Sequence, residues 1–108
     1  MSRREPDLDP VFKALADPTR REILDLLRAG PRTTSAIVAE FPALTRFGVM
    51  KHIDVLRDCG LITVRAEGRE RINALNAVPI QQIYERWVRG FEGFWAGHLL
   101  DLQRKLEQ

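Results

Sequence analysis

The segment 45–62 places cationic and apolar side chains at the spacing of a helix with two unlike faces. Thr45 is suited to cap the start of this helix, and Gly60 is suited to end it. The side chains on the exposed face near the start are Arg46, Phe47, Met50 and Lys51. Arginine donates paired hydrogen bonds to guanine and apolar groups contact the thymine methyl, so this helix is suited to the DNA major groove.

Most of these side chains have an alternative role that the sequence leaves open. Arg46 contacts either a base or a phosphate, whereas Lys51 is assigned to a phosphate. Phe47 and Met50 either touch thymine methyl groups or pack against the preceding helix. His52 lies at the edge of the apolar face, where a structural hydrogen bond is favoured over a DNA contact. Two aspartates farther along repel phosphate, so base contacts are expected near the start of the helix.

The opposite face of the same helix is predicted to enter the core through four apolar residues, Val49, Ile53, Val55 and Leu56. Beyond the helix, β-prone residues 61–64, a turn centred on Gly68 and a second strand over 71–75 predict a hairpin. The arginines around this turn are Arg65, Arg69 and Arg71. They are assigned to DNA, with a solvated surface as the alternative. Helix, strand, basic turn and strand is the order of a winged helix.

Three shorter helices are predicted before residue 45. The first two start at Asp9 and Asp17, each of which is followed by a proline. The third is capped by Thr33 or Thr34, and with the helix at 45 it forms a helix-turn-helix. Thr34 and Ser35 lie at its start, where hydroxyls and free amides suit a phosphate. Capping alone explains these residues equally well.

Apolar residues recur at helical period from Ile80 to Leu106, which predicts a long C-terminal helix. A chain this small offers little surface to cover them, so we expect a second copy to do so. A helix folded back on its own domain is the alternative. The residues assigned to the dimer interface are Phe12, Tyr84, Trp87, Phe91, Phe94, Trp95, Leu99 and Leu102. Gly90, Gly93 and Gly97 either permit close helix contact or interrupt the helix near residue 90.

Composition limits the class of protein. The 108 residues, 44% of them hydrophobic, suffice for one domain with a packed core, and the net charge of +2 does not by itself indicate a nucleic-acid partner. Cys59 is the only cysteine, so an internal disulfide is excluded, and we expect a buried, unreactive thiol in a reducing compartment. Without a long apolar run or a signal segment, a cytoplasmic protein with no membrane contact is expected. No nucleophile and base stand at catalytic spacing, so we expect no enzyme.

Four stretches have counterparts in a known family: LADPTRREIL at 15–24, VMKHI at 49–53, CGLI at 59–62 and EGRE at 67–70. Over about residues 8–108, the chain resembles the ArsR/SmtB family of bacterial winged-helix repressors. The resemblance implies a homodimer, operator binding by the helix at 45–59, and repression of transcription.

Metal-ligand motifs of that family are incomplete in this chain. Some members bind a metal through paired cysteines in the helix before the recognition helix, and this chain has none there. Others use acidic residues and histidines of the last helix. Only His98 and Asp101 match, with Glu85 and Trp87 at the place of the missing ligands. Zinc requires four ligands, or three plus water. The chain therefore resembles a branch without these ligands, and no metal or cofactor is expected.

These observations predict a mainly α-helical fold with a small β-wing, a winged helix-turn-helix that is dimeric through a long C-terminal helix. Residues 1–108 form one domain, with the DNA-binding winged helix at 8–76 and the dimerisation helix at 77–108. The predicted function is a homodimeric repressor that binds an inverted-repeat operator in double-stranded DNA. The alternatives are a dimeric winged-helix module that binds a protein, and a metal- or redox-responsive sensor of the same fold.

Overall fold

The computed structural model describes the backbone of residues 6–91 and 94–107, and the side chains of 6–90 and 97–107. The helices in these ranges are α1 Asp9–Leu15, α2 Pro18–Leu27, α3 Thr34–Ala39, α4 Arg46–Asp58, α5 Val78–Trp87 and α6 Phe94–Glu107. The strands are β1 Arg32–Thr33, β2 Ile62–Glu67 and β3 Glu70–Leu75. A turn of 3-10 helix at Arg89–Phe91 lies between α5 and α6. The predicted helix-turn-helix followed by a β-hairpin is confirmed.

Threonine side chains fix the starts of the two helices in the helix-turn-helix. The Thr33 hydroxyl accepts from the amide of Ala36 at 3.0 Å, so Thr33 rather than Thr34 caps α3. The Thr45 hydroxyl accepts from the amide of Gly48, also at 3.0 Å, as predicted for α4. Each cap satisfies an amide that has no partner inside its helix, so the sequence determines where these helices begin.

The end of α4 directs the chain back into the core. Gly60 adopts a φ of 86°, a left-handed conformation that favours glycine. This conformation lets the amide of Leu61 donate to the carbonyl of Leu56 at 2.9 Å, which closes the helix end and buries Leu61. Gly68 has a φ of 63° at the tip of the hairpin. The two glycines that the sequence assigns to a stop and a turn therefore perform those roles.

The three strands form one antiparallel sheet in the order β1-β3-β2. The pairing of β2 with β3 runs from Ile62 opposite Leu75 to Glu67 opposite Glu70. The core lies between this sheet and the helices. Its buried apolar residues are Leu8, Val11, Ala14, Ile23, Leu24, Leu27, Ile37, Val49, Ile53, Leu56, Leu61 and Ile62.

One predicted core residue of α4 lies outside the core. Val55 is 39% exposed, whereas Val49, Ile53 and Leu56 are buried as predicted. At about 100° per residue, Val55 stands roughly 240° around the helix from Val49. The helical period therefore places it away from the buried face, and its assignment to that face is corrected.

The C-terminal segment forms two helices rather than one. The long helix over 77–108 is corrected to two helices, because α5 ends at Trp87 and α6 starts at Phe94. Of the two roles that the sequence leaves open for its glycines, the structure shows the interruption near residue 90. Gly90 lies in the 3-10 turn between them, where its weak helix preference favours an interruption. Gly93 lies outside the described residues, and Gly97 is within α6.

Candidate nucleic-acid interface

The helix α4 has one face in the core and an opposite face that is exposed near its start. It packs against α2, α3 and β2. On the opposite side, Phe47 is 68% exposed, and Met50 and Lys51 are exposed as well. The Lys51 ammonium lies 4.8 Å from the centroid of the Phe47 ring, within the range of a cation–π contact. The start of α4 therefore presents a positive charge and an aromatic ring to the surface.

The Arg46 side chain is directed toward the start of α3. Its two terminal nitrogens lie 3.4 and 3.3 Å from the Ser35 hydroxyl. These distances are long for nitrogen–oxygen hydrogen bonds, and both residues are exposed. The contact orients the guanidinium without consuming its donors, which leaves them available for a stronger acceptor such as a phosphate or a guanine edge.

A cleft of about 200 Å³ joins α3, α4 and the hairpin. We call it the helix–wing cleft, and its lining residues are Thr33, Thr34, Ser35, Arg46, Met50, Arg69, Glu70 and Arg71. Six of the eleven residues that the sequence assigns to DNA are among them. Residues far apart in the chain thus form one surface with three guanidinium groups.

The other five predicted residues are not among those that line the cleft. Phe47 and Lys51 are on the exposed side of α4, and the Thr45 hydroxyl accepts the capping hydrogen bond. Arg65 lies on the wing, where its guanidinium contacts the Glu67 carboxylate at 3.1 Å. Its charge is therefore partly compensated within the chain.

His52 faces the body of the protein rather than the cleft. Its Nδ1 lies 3.2 Å from a terminal nitrogen of Arg20 and 4.0 Å from the Asp17 carboxylate. The imidazole is half-buried between α2 and α4. This position favours the structural hydrogen bond over the DNA contact.

Sequence reasoning missed the cluster around Arg20. The Arg20 guanidinium donates to the carbonyls of Ala14 at 2.8 Å and Lys13 at 3.0 Å, so it joins the end of α1 to α2 and α4. Burial raises the pKa of the neighbouring Asp17, but the Arg20 amide and the charges of His52 and Arg20 lower it by more. The net pKa of Asp17 is below its usual value, so the carboxylate stays ionised at neutral pH. The signal in the sequence is the Asp-Pro-Thr-Arg helix start.

The far end of α4 carries compensated charge. Arg57 contacts the carboxylates of Asp54 at 3.5 Å and Asp58 at 3.4 Å. These pairs are exposed, so they contribute little to stability. They also leave this end of α4 with a negative balance, unlike its start.

Apolar side chains with exposed surface also lie on α1, α5 and α6. The rings of Phe12 and Trp87 lie 5.8 Å apart, and these side chains are 42% and 49% exposed. Tyr84 is half-buried, while Leu99 and Leu102 on α6 are mostly exposed. We call these five residues the C-terminal apolar face. The side chains of three further predicted interface residues lie outside the described residues: Phe91, Phe94 and Trp95.

Among the described residues, no three or more histidine, cysteine, aspartate or glutamate side chains are grouped to hold a metal ion. In the same part of the chain, no helix has the length and apolar character needed to cross a membrane. Cys59 is half-buried, and its sulfur lies 3.4 Å from the carbonyl oxygen of Leu56.

The geometry agrees with comparisons to known proteins. Residues 15–65 match the model of a helix-turn-helix domain. The chain is 32% identical over 84 residues to the transcriptional repressor SdpR of Bacillus subtilis, covering 78% of this chain and 91% of that protein. A crystal structure of an ArsR family transcriptional regulator is 36% identical with a TM-score of 0.72, covering 84% of this chain and 98% of that one.

A further similarity concerns assembly. The homodimeric winged helix-turn-helix DNA-binding domain Mb0332 of Mycobacterium bovis is 27% identical with a TM-score of 0.62, covering 78% of this chain and 79% of that one. The regions matched to the repressor and to the ArsR family structure cover 78% and 84% of this chain, so the similarity extends well beyond the helix-turn-helix. The chain therefore belongs to the ArsR family of winged helix-turn-helix transcriptional regulators.

Proposed function

We propose that this DNA-binding regulator is a homodimeric repressor that binds an inverted-repeat operator. The observation that carries the proposal is the helix–wing cleft, in which the start of α3, the start of α4 and the wing share one surface. Three guanidinium groups on one concave surface attract the phosphates of a duplex, and the adjacent exposed side of α4 fits the major groove.

The start of α4 supplies base contacts in this proposal. Arg46 donates to a base edge, because it projects from the first turn and its bonds to Ser35 are weak enough to exchange. Phe47 contacts a thymine methyl, and Lys51 contacts a phosphate. The acidic far end of α4 stays out of the groove, since its carboxylates repel the backbone.

The wing supplies phosphate contacts that strengthen binding without selecting a sequence. Arg69 and Arg71 are exposed on the side of the hairpin that lines the cleft. Arg65 contributes less, because Glu67 already compensates its charge. Each phosphate contact releases counterions, so binding weakens as the salt concentration rises.

The C-terminal apolar face pairs two copies of the chain in this proposal. Phe12 and Trp87 are apolar, adjacent and about half exposed, which suits a contact that a second copy covers. A similar protein is homodimeric, which supports self-association of this chain. The winged helix at 8–76 would then bind DNA, and residues 77–108 would dimerise. A two-fold axis would place the two copies of α4 in successive major grooves about 34 Å apart.

The test measures binding to DNA from the upstream region of the protein's own gene. We expect footprints on two half-sites about one helical turn apart, and an affinity that falls steeply with salt. An unrelated duplex of equal length is the control, and it should bind more weakly with a similar salt slope. Equal affinity for both duplexes would contradict sequence-specific repression. A footprint on a single half-site would contradict the two-fold arrangement.

We further propose that this regulator acts in the cytoplasm on genomic DNA and needs no metal. The support for the second point is that His98 and Asp101 stand without the other two ligands of the family's motif. Treatment with a chelator should leave DNA affinity and melting temperature unchanged. A stoichiometric metal retained through purification would contradict it.

A further inference from the structure

Asn73 is a buried polar side chain with no exposed surface. It lies on β3, the central strand, opposite Arg32 of β1 on one side and Val64 of β2 on the other. Asparagine is disfavoured in the interior of a sheet, where branched apolar residues pack better. The position therefore calls for an explanation other than the stability of the strand.

The amide of Asn73 joins three elements through one nitrogen. Its Nδ2 donates to the carbonyl of Arg32 at 3.3 Å and to the hydroxyl of Thr34 at 3.0 Å. These bonds tie the wing strand β3 to β1 and to the first residue of α3. They act on the two sides of the helix–wing cleft, because Thr34 lines one side and β3 forms the other.

The other end of the amide is unsatisfied. Asn73 Oδ1 is buried and has no hydrogen-bond partner among the described residues. A buried acceptor without a donor lowers the stability of a fold. Asn73 lines a small cavity of about 20 Å³ together with apolar and polar side chains: Thr34, Met50, Ile53, Asp54, Arg57, Val64 and Arg71. The oxygen gains no hydrogen bond from these neighbours, so the stability of the strand alone does not account for the asparagine.

The side-chain direction of β3 links this buried amide to the DNA surface. Arg71 is two residues before Asn73, and alternate residues of a strand share a face. Arg71 lines both the small cavity and the helix–wing cleft. The amide of Asn73 therefore lies on the same face of β3 as Arg71, and its hydrogen bond to Thr34 ties that strand to α3.

We propose that Asn73 is a positioning residue for DNA binding, which fixes the wing relative to the start of α3. The proposal rests on the proposed function, because it assumes that the cleft binds a duplex. Asn73 acts through Arg69 and Arg71, whose guanidinium groups meet the phosphates only when the hairpin has the correct angle. In this proposal, the fold tolerates the destabilising unpaired Oδ1 because the Asn73 amide fixes the angle of the hairpin.

The test compares Asn73→Leu with the wild-type protein by melting temperature and by DNA affinity across salt concentrations. The leucine removes the unpaired acceptor, which favours stability, and also the two hydrogen bonds of Nδ2, which lowers it, so we expect only a small net change in melting temperature. The affinity should fall about tenfold and the salt slope by about one unit, the effect of one lost phosphate contact. Asn73→Val is the second variant, since valine suits a strand.

A double-mutant cycle separates positioning from a general structural role. Arg69→Ala should weaken DNA binding in the wild-type protein and have little further effect beside Asn73→Leu. The matched control is Val64→Ala, opposite Asn73 on β2, which should lower the melting temperature and leave the effect of Arg69→Ala intact. Thr34→Val tests the same bond from its acceptor end, with Thr34→Ser retaining the hydroxyl.

The outcomes are distinguishable. Full additivity of Asn73→Leu and Arg69→Ala would overturn the positioning role while leaving the proposed function in place. The positioning role would also be overturned if Arg69→Ala lowered DNA affinity by the same factor in the Thr34→Val and Thr34→Ser proteins. This second test remains decisive even if neither Asn73 variant folds. Failure of the wild-type protein to bind any duplex would instead overturn the proposed function, and the inference with it.

Discussion

The helix–wing cleft and the C-terminal apolar face differ in how completely one chain builds them. In the cleft, polar side chains contact one another: the Arg46 guanidinium lies 3.3 Å from the Ser35 hydroxyl, and the Asn73 amide donates to the Thr34 hydroxyl at 3.0 Å. In the apolar face, the rings of Trp87 and Phe12 lie 5.8 Å apart, and both side chains remain about half exposed. The polar side chains of the helix–wing cleft find partners within the chain, whereas the large side chains of the C-terminal apolar face remain in contact with water.

The difference shows what each surface requires of a partner. A polar cleft can remain open until DNA arrives, because water satisfies its donors. An exposed apolar face is unfavourable in water at about 25 cal/mol per Å², so it favours permanent cover.

The largest expected effect is on the apolar face. Trp87→Ala should weaken the dimer by about 3 kcal/mol or more, since large-to-small changes at buried contacts have costs of this size. Sedimentation at a series of concentrations would show a shift toward monomer. Leu44→Ala is a suitable control, because Leu44 is 39% exposed but lies outside the apolar face. A wild-type protein that is monomeric at micromolar concentration would contradict the claim that a second copy covers the C-terminal apolar face.

The next effect concerns the cleft. Arg46→Ala should cost about 1–3 kcal/mol per half-site, with the loss concentrated at one base pair if Arg46 makes a paired contact with a base. Binding to a panel of singly substituted operators measures this. The matched control is Arg57→Ala, because Arg57 is on the same helix but is already paired with Asp54 and Asp58. Uniform weakening across the panel would assign Arg46 to a phosphate instead.

The sequence predicts local features of the fold well. Capping residues, stop glycines and the apolar period of α4 depend on neighbours within a few positions, so Thr45 and Gly60 were assigned correctly. The sequence pattern groups Val55 with Val49, Ile53 and Leu56 because these apolar residues are close together in the chain. The angle of each residue around the helix axis places Val55 away from the core instead. The sequence does not decide whether the C-terminal helix is interrupted near Gly90, because a helix that tolerates glycine and one that ends there have similar local sequences.

The candidate site was predictable only in part. Arginine type and position indicated the wing and the start of α4, because those residues are exposed and their chemistry is distinctive. The Asn73 amide and the Arg20 cluster depend on contacts 39 and 32 residues apart in the chain, to Thr34 and His52. No local pattern encodes such contacts, so the residues that hold the surface in place were missed or assigned to DNA.

A smaller effect is expected on the wing. Arg69→Ala should reduce affinity for specific and unrelated duplexes alike and flatten the salt slope by about one unit. Arg65→Ala should change the slope by less, because Glu67 pairs with Arg65 at 3.1 Å. Titration of both variants across salt concentrations tests the difference. A change in operator preference by Arg69→Ala, with unrelated DNA bound as before, would contradict its assignment to phosphate.

The smallest effect concerns the Asp17 cap at the start of α2. Asp17 accepts from the amides of Thr19 and Arg20 at the start of α2, so Asp17→Ala should cost about 1 kcal/mol of unfolding free energy at neutral pH. Asp17→Asn should cost less, since its side-chain oxygen still caps the helix. Thermal melting at pH 7 ranks the three proteins.

The pH dependence of that cap follows from the sign of the pKa shift. The pKa of Asp17 is lower in the folded chain than its usual value of 3.8, so its ionised form stabilises the fold. This contribution is fully present above pH 3.8 and disappears as the pH falls through the lower folded pKa. The difference in melting temperature between the wild-type protein and Asp17→Asn should therefore shrink between pH 7 and strongly acidic pH. Asp58→Asn, at an exposed carboxylate on α4, should change little at either pH. A wild-type advantage that stayed constant into acid would mean that the charge of Asp17 contributes nothing, leaving only its capping oxygen.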